Sequence, residues 1–157
     1  MMMRLATGIA ALLIGTAAAM AQCPEVGKPA KAFTITEGFP VDPNVHNVTA
    51  GGNLNLGKCP SVPGQGWITK LPDFVVNYKT KNNRPSAFTL TFRIQSAADT
   101  VLLINGPNGR WHFDDDGGKR LDAKLSFRNA APGRYDIWVG TYSNKLAKAK
   151  LVVTELE

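Results

Sequence analysis

Residues 99–139, DTVLLINGPNGRWHFDDDGGKRLDAKLSFRNAAPGRYDIWV, decide the fold class, because short apolar runs alternate there with turn-forming residues. The four runs are residues 100–105, 110–113, 123–128 and 134–139. Three turns of different composition separate them: Gly-Pro-Asn-Gly, the acidic Asp-Asp-Asp-Gly-Gly, and Ala-Pro-Gly. Short strands at such close spacing predict an all-β fold, an antiparallel sandwich or barrel.

The clearest alternation in the chain lies at residues 87–95, where apolar side chains share one face and polar side chains share the other. Such a pattern predicts a strand with one buried side and one side in water. With weaker runs elsewhere, we expect about eight or nine strands in a single-domain antiparallel β-sandwich. Residues 53–56 are expected to pair back on residues 45–50 as a hairpin. The predicted core consists of Phe88, Leu90, Phe92, Ile94, Leu102, Ile104, Leu125, Phe127, Tyr135, Ile137, Val139, Leu151 and Val153.

Residues 1–21 have the pattern of a secretory signal peptide. A basic Arg4 precedes an uncharged apolar run that ends in the small-residue motif Ala-Met-Ala, so cleavage after Ala21 would leave Gln22 as the new N-terminus. A membrane anchor is the alternative, but the run is marginal in length and ends in a cleavage motif. We therefore expect a secreted or periplasmic protein with no transmembrane span after cleavage. Residues 22–71 would supply an N-terminal arm, the first strands and a disulfide loop, and residues 72–157 the rest of the sandwich.

The two cysteines, Cys23 and Cys59, both belong to the chain that remains after cleavage. In an oxidising compartment, two cysteines most simply pair with each other. Their wide spacing is unlike a redox C-x-x-C motif, and two cysteines with two distant histidines are too few for a typical zinc site. A structural disulfide between Cys23 and Cys59 is the prediction.

The formal net charge is +6, and removal of Arg4 would leave 17 basic residues against 12 acidic ones, a balance of +5. Lys148 and Lys150 are two residues apart in an expected strand and would share one solvated face. Without exposed aromatic side chains between the basic ones, the pattern argues against a nucleic-acid partner. Weak attraction to anionic polysaccharide or lipid head groups is compatible with this charge.

Four short motifs occur in a fixed order in the second half of the chain. They are DTxL at 99–102, GPNG at 106–109, DD at 115–116 and PGxYxIxV at 132–139. In order and spacing this series resembles the bacterial pre-peptidase C-terminal domain, over residues 72–155. The resemblance implies a compact jelly-roll-like sandwich that is attached to secreted proteases or exported alone. It also implies a role in secretion or in substrate or matrix binding, sometimes with calcium, and does not imply proteolysis.

The acidic turn at residues 114–118 has two interpretations. Asp114, Asp115 and Asp116 repel one another unless they are solvated or neutralised, and calcium takes oxygen ligands from carboxylates, carbonyls and water. With Asp99 from a neighbouring loop, they form a candidate calcium site, although the spacing is not that of an EF-hand. The other interpretation is a hairpin turn whose aspartates accept hydrogen bonds from backbone amides, with Lys119 and Arg120 balancing the charge.

Trp111, Trp138 and Tyr142 are the candidate ligand-binding aromatics. Trp138 alternates with inward-facing residues and should therefore face away from the main core. An outward tryptophan on a sheet is a platform for a sugar ring or a peptide if it is exposed. Alternatively, it is covered by a loop such as the one that carries Trp67.

Catalytic machinery is not apparent in the sequence. The only histidines are His46 and His112, and neither a G-x-S-x-G elbow nor another recognisable serine-nucleophile loop accompanies them. We therefore expect an exported, non-catalytic binding module that recognises a polysaccharide, a peptide or an envelope partner through its loops. The alternatives are an accessory or folding module for a separately encoded secreted peptidase and, less consistent with the residues, a hydrolase.

Overall fold

The computed structural model describes residues 23–157, and the signal peptide predicted at residues 1–21 lies outside the described residues. The strands are β1 (Lys31–Thr36), β2 (Asn44–Ala50), β3 (Leu54–Asn55), β4 (Trp67–Ile68), β5 (Phe74–Lys79), β6 (Leu90–Ser96), β7 (Thr100–Asn105), β8 (Trp111–Asp114), β9 (Lys124–Phe127), β10 (Gly133–Thr141) and β11 (Ala147–Thr154). Two single turns of 3₁₀ helix lie at Leu56–Lys58 and Lys81–Asn83. Within residues 23–157, no helix has the length and apolar character needed to cross a membrane.

The strands form two sheets that pack face to face, which confirms the predicted all-β sandwich. In the seven-stranded sheet, called sheet A, the long strand β10 pairs with β5 and β4 along one side and with β7 along the other. Strands β1, β3 and β8 extend sheet A beyond β5, β4 and β7. The four-stranded sheet, called sheet B, has the order β2-β11-β6-β9, and all its pairs are antiparallel.

One pair in this largely antiparallel sandwich is parallel: at one edge of sheet A, β1 and β5 run in the same direction. Between these two strands the chain passes through β2, which belongs to sheet B, and then returns to sheet A. A long crossover of this kind lets two strands of one sheet point in the same direction, whereas a short turn would not.

The predicted hairpin between residues 45–50 and 53–56 is also wrong, because β2 lies in sheet B and β3 pairs with β4 in sheet A. Gly51 and Gly52 carry the chain from sheet B to sheet A. The Gly51 amide donates a hydrogen bond to the Val139 carbonyl of β10 at 3.0 Å. A Cβ on Gly52 would lie 2.1 Å from the Ile68 carbonyl oxygen, so only glycine fits this approach. The structure has eleven strands where eight or nine were expected, and the strand that the sequence did not indicate is β4, which has only two residues.

The main core fills the space between the two sheets and agrees with the predicted one, with one exception. Ten of the predicted core side chains are fully buried: Leu90, Phe92, Ile94, Leu102, Ile104, Tyr135, Ile137, Val139, Leu151 and Val153. Leu125 and Phe127, on the edge strand β9, are partly buried against this core. Phe88 was wrongly included, since it is 44% exposed and precedes β6, which begins only at Leu90.

A second core lies on the opposite face of sheet A, beneath residues 54–68. Val101 and Leu103 of β7 and Trp138 of β10 are buried there, under Leu54, Leu56, Cys59, Val62 and Ile68. The disulfide between Cys23 and Cys59, predicted from sequence, holds the N-terminal arm to this covering segment. Strand β7 therefore has apolar contacts on both faces, which explains its continuous apolar run Val-Leu-Leu-Ile.

Candidate functional site

The outer face of sheet B carries basic and amide side chains in rows that cross the strands. Residues directly opposite each other in an antiparallel pair share a face, about 5 Å apart. One row contains Asn47, Lys150 and Gln95, and these three side chains are exposed. In the next row, Arg93 of β6 lies opposite Lys124 of β9. Lys148 follows Lys150 by two positions and is exposed on the same face, as the alternation in sequence predicted.

A groove of about 520 Å³ lies where this face meets the loop between β8 and β9. Arg93 and Lys124 line it from the sheet, and Lys119 and Arg120 line it from the loop. A shallower cavity of about 340 Å³ adjoins it, lined by Asn47, Lys148 and Lys150, and Gln95 borders both. We call the side chains that line the two cavities and carry donors the basic face: Asn47, Arg93, Gln95, Lys119, Arg120, Lys124, Lys148 and Lys150.

The acidic turn builds one wall of the groove. Asp114 accepts hydrogen bonds through Oδ2 from the Gly117 amide at 2.7 Å and from the Lys124 amide at 2.8 Å. These bonds fold residues 114–124 back on themselves and hold Lys119 and Arg120 over the end of β6. Of the two interpretations of this turn, the one with aspartate accepting from backbone amides is confirmed for Asp114.

The four aspartates of the predicted calcium site, Asp99, Asp114, Asp115 and Asp116, are not gathered into one cluster within residues 23–157, and calcium binding stays a prediction. Asp99 does lie near the turn: burial raises its pKa most, and the carboxylates of Asp116 and Asp115 raise it further. Within residues 23–157, however, no three His, Cys, Asp or Glu side chains are grouped to hold a metal ion. The physical reason is that Asp114 uses its Oδ2 for two backbone amides, which orients the carboxylate into the turn.

Asp122 closes the groove on the side of β6. Its Oδ1 accepts from the Ser96 amide at 3.0 Å, and its own amide donates to the Lys119 carbonyl at 3.2 Å. Burial raises the pKa of Asp122, and the Ser96 hydrogen bond and the nearby Arg120 and Arg93 oppose that rise. The side chain therefore holds the loop against the end of β6 through its Oδ1.

The carboxylate of Glu157 lies in the groove between two cations of the basic face. Arg93 Nε donates to Oε1 at 2.8 Å, and Lys124 Nζ lies 2.9 Å from Oε2. The hydrogen bond from Lys124, joined by the one from Arg93, lowers the pKa of Glu157 below its ordinary value despite partial burial. The groove therefore binds a carboxylate group with one donor for each oxygen.

The predicted aromatic site is not formed as a surface. Trp138 faces away from the main core, as expected, but it is fully buried in the second core, so its assignment as a ligand platform is wrong. Trp111 is partly buried and packs against it with ring centroids 5.4 Å apart. Tyr142 is 48% exposed, and among the described residues its ring contacts neither tryptophan. The covering segment that includes β4 removes the platform, which was the alternative interpretation.

The two histidines lie apart, each against an aromatic ring. His46 stacks on Phe33 at 4.0 Å between ring centroids, and its Nε2 is 2.5 Å from Asn44 Oδ1. His112 meets the Phe127 ring edge-on at 4.8 Å. Burial lowers the pKa of both imidazoles, with Lys31 adding to the effect at His46 and Arg110 at His112. In residues 23–157, neither imidazole is hydrogen-bonded to a serine or to a carboxylate.

Most of the basic face was missed by reasoning from sequence. The alternation in residues 87–95 placed Arg93 and Gln95 on the wet side of a strand, and Lys148 and Lys150 were read as a solvated face. Nothing in the linear order shows that β6 and β11 are neighbours, or that Lys124 lies opposite Arg93. The sequence signal for this face is the positive charge of residues 119–124, which follow the acidic turn.

The fold is similar to those of solved structures. One is the pre-peptidase C-terminal domain of a collagenase from Bacillus anthracis, at 14% sequence identity and a TM-score of 0.46, covering 81% of this chain and 98% of that chain. Another is PliG of Aeromonas hydrophila, a periplasmic lysozyme inhibitor of g-type lysozyme, at 14% identity and a TM-score of 0.38, covering 80% of this chain and 98% of that one. No family model and no curated protein matches the chain.

Proposed function

We propose that this protein is an exported, non-catalytic module that binds a polysaccharide along the basic face of sheet B. The observation that carries the proposal is the pair of adjoining cavities on this face, about 520 and 340 Å³, to which eight side chains contribute hydrogen-bond donors. Sugar hydroxyls both donate and accept hydrogen bonds. The amides of Asn47 and Gln95 offer both roles, and the neighbouring lysines and arginines offer donors.

The shape of the face supports an extended ligand. Its rows of side chains cross up to three neighbouring strands of sheet B, and strands in a sheet lie about 4.8 Å apart. Along a strand, Lys148 and Lys150 are separated by about 7 Å. A chain of sugar units that lies across the strands would meet Asn47, Lys150 and Gln95 in turn and reach the groove beside Arg93.

Export is supported by the disulfide between Cys23 and Cys59 and by the leader pattern at residues 1–21. Disulfides persist in oxidising compartments and are rare in the bacterial cytoplasm. Processing after Ala21 is checked by intact mass of the protein recovered from the periplasm and from the medium. The proposal expects the mass of residues 22–157 with both cysteines oxidised. The full-length mass with free thiols would contradict the export part.

Binding is tested by affinity electrophoresis of the purified, oxidised protein in gels that contain soluble polysaccharides, both neutral and acidic. The proposal expects that at least one polymer retards the protein. Replacing Lys150→Ala together with Gln95→Ala should weaken that retardation at least tenfold, because both side chains belong to the row that the ligand crosses.

The matched control is Lys81→Ala, which removes one exposed lysine from the 3₁₀ turn Lys81–Asn83, outside the basic face. It should leave the retardation unchanged. Thermal unfolding of all variants monitors folding. Absence of retardation by every polymer would contradict the proposal, as would equal retardation of the wild type and the double variant.

A further inference from the structure

We infer that the groove beside Arg93 and Lys124 is a carboxylate subsite for the uronic acid units of an acidic polysaccharide, and that the Glu157 side chain occupies this subsite until the ligand displaces it. The inference rests on the proposed function and specifies its ligand class. It starts from an occupant that the structure already shows, since the Glu157 carboxylate is held there by both cations.

The donor geometry suits a planar carboxylate. Arg93 Nε contacts Oε1 at 2.8 Å and Lys124 Nζ contacts Oε2 at 2.9 Å, so each oxygen has its own charged donor. Both distances are those of charge-assisted hydrogen bonds. The anion that the structure shows between these two donors is a carboxylate. Arg93 and Lys124 carry further N–H groups that sulfate or phosphate could also engage, so these anions are compared in the third experiment.

The charge around the subsite indicates that the ligand carries more than one carboxylate. Six cations line the two cavities: Arg93, Lys119, Arg120, Lys124, Lys148 and Lys150. Among the described residues, the acidic side chains that line these cavities are Asp122 and Glu157. Asp122 accepts a hydrogen bond from the Ser96 amide through its Oδ1. With Glu157 shared by two cations, the remaining four form no salt bridge among the described residues, and of these four Arg120 is the one with a nearby carboxylate, that of Asp122. A polyuronate supplies repeated carboxylates to such a surface.

Glu157 is the part of the subsite that a ligand must replace. Its side chain is 33% exposed, and those of Arg93 and Lys124 are 23% and 30% exposed, so water reaches all three. Ion pairs that water reaches are weak, and an external carboxylate can take over the same donors at little cost. Glu157 would then act as a competitor within the protein, lowering the affinity for the acidic polymer.

The first experiment compares two forms of one polymer by isothermal titration calorimetry. Polygalacturonate carries a carboxylate on each unit, and its methyl-esterified form has the same backbone without the charges. The inference expects at least tenfold tighter binding of polygalacturonate at about 50 mM salt, with the difference shrinking as salt screens the charges. Equal binding of both forms would overturn the carboxylate subsite and leave the proposed function standing. Binding of neither would overturn the inference, and the proposed function would fall only if every polymer in the electrophoresis also failed to bind.

The second experiment tests Glu157. Glu157→Gln keeps the size of the side chain and removes its charge, so polygalacturonate affinity should rise about three- to tenfold, the equivalent of two weak ion pairs. Glu25→Gln is the matched control, because Glu25 also pairs with two lysines, Lys28 and Lys70, but lies outside the basic face. It should leave affinity unchanged. Unchanged or lower affinity in Glu157→Gln would overturn the competitor role.

The third experiment identifies the chemistry of the anion. Lys124→Gln should lower polygalacturonate affinity at least fivefold and leave binding of the methyl-esterified polymer unaffected. Dextran sulfate and vesicles containing anionic phospholipid serve as other sources of negative charge. The inference expects each to bind more weakly than polygalacturonate at equal charge concentration. Tighter binding to the sulfated polymer or to the vesicles would overturn it.

Discussion

Asp73 provides the most quantitative prediction, because its carboxylate binds a backbone amide of β10 at a point where strand pairing in sheet A is interrupted. It follows β4 and precedes β5, at the point along β10 where pairing passes from one to the other. Its backbone amide donates to the Ile137 carbonyl at 2.8 Å, and its Oδ2 accepts from the Val139 amide at 2.8 Å. Burial raises the pKa of Asp73 from 3.8 to about 7, although hydrogen bonds with Val139 and Thr69 oppose the rise.

The sign of the effect follows from proton linkage. Because the folded pKa is the higher one, the folded protein keeps a proton between pH 4 and 7 that the unfolded chain has released. The contribution of Asp73 to stability is therefore fully present below pH 3.8 and is lost as the pH rises through about 7. At about 1.4 kcal/mol per pKa unit, the loss between pH 4.5 and pH 8 is about 3 kcal/mol. This is an upper value, since Asp73 is only partly buried.

The substitution Asp73→Asn removes the charge and keeps an oxygen to accept from the Val139 amide. The free energy of unfolding in urea is measured for both proteins at pH 4.5 and at pH 8. The difference between Asp73→Asn and the wild type should shift in favour of the variant by about 3 kcal/mol from the lower to the higher pH, which is about 1.5 M in the urea midpoint. Asp116→Asn, on an exposed aspartate of the acidic turn, is the control and should follow the wild type. If Asp73→Asn and the wild type changed in parallel with pH, the reasoning about Asp73 would be refuted.

Three further predictions concern stability. Trp138→Ala should destabilise by about 3 to 5 kcal/mol in urea unfolding, since the ring is fully buried in the second core, and a loss below 1 kcal/mol would contradict that burial. Replacing Cys23 and Cys59 by serine should cost about 3 to 4 kcal/mol for a bridge spanning 36 residues, and calorimetric melting that matched the wild type would contradict this. Gly140→Ala should cost about 1 to 3 kcal/mol, because the added Cβ would lie 2.5 Å from the Trp67 carbonyl oxygen, and an unchanged midpoint would contradict the close approach.

The sandwich was predictable because its strands obey local rules. The alternation in residues 87–95 placed Phe92 and Ile94 in the core, and β10 placed Tyr135, Ile137 and Val139 there. The disulfide was predictable from composition and compartment. These features depend on which side of a strand a residue faces, and the period of two gives that directly.

The covering layer was not predictable in the same way. Its strands β3 and β4 have two residues each, so β4 shows no period, and the pattern at residues 53–56 indicated a strand without its partner β4. The continuous apolar run in β7 was the available sign that sheet A is buried on both faces. Trp138 was placed on the correct side of its strand, yet whether a layer covers that side depends on residues 54–68, which are far away in sequence.

The basic face depends on pairing between strands that are distant in the chain. Lys150 comes to lie opposite both Gln95 and Asn47 only because β11 is inserted between β6 and β2. Sequence patterns place each of these three residues on the solvent-exposed side of its strand. They do not show that the three residues line the same cavity. At the acidic turn, the local sequence suggested a function, a calcium site, because three aspartates are adjacent. In the structure, the hydrogen bonds of Asp114 fold this turn into one wall of the groove.

Amide chemical-shift mapping by NMR during titration with oligogalacturonate tests the binding face most directly. The account predicts that the largest shifts fall on β6, β9, β11 and the loop at residues 115–123, with Arg93, Gln95, Lys124 and Lys150 among them. Shifts concentrated instead near the exposed Tyr142, or absent throughout at millimolar oligosaccharide, would contradict it.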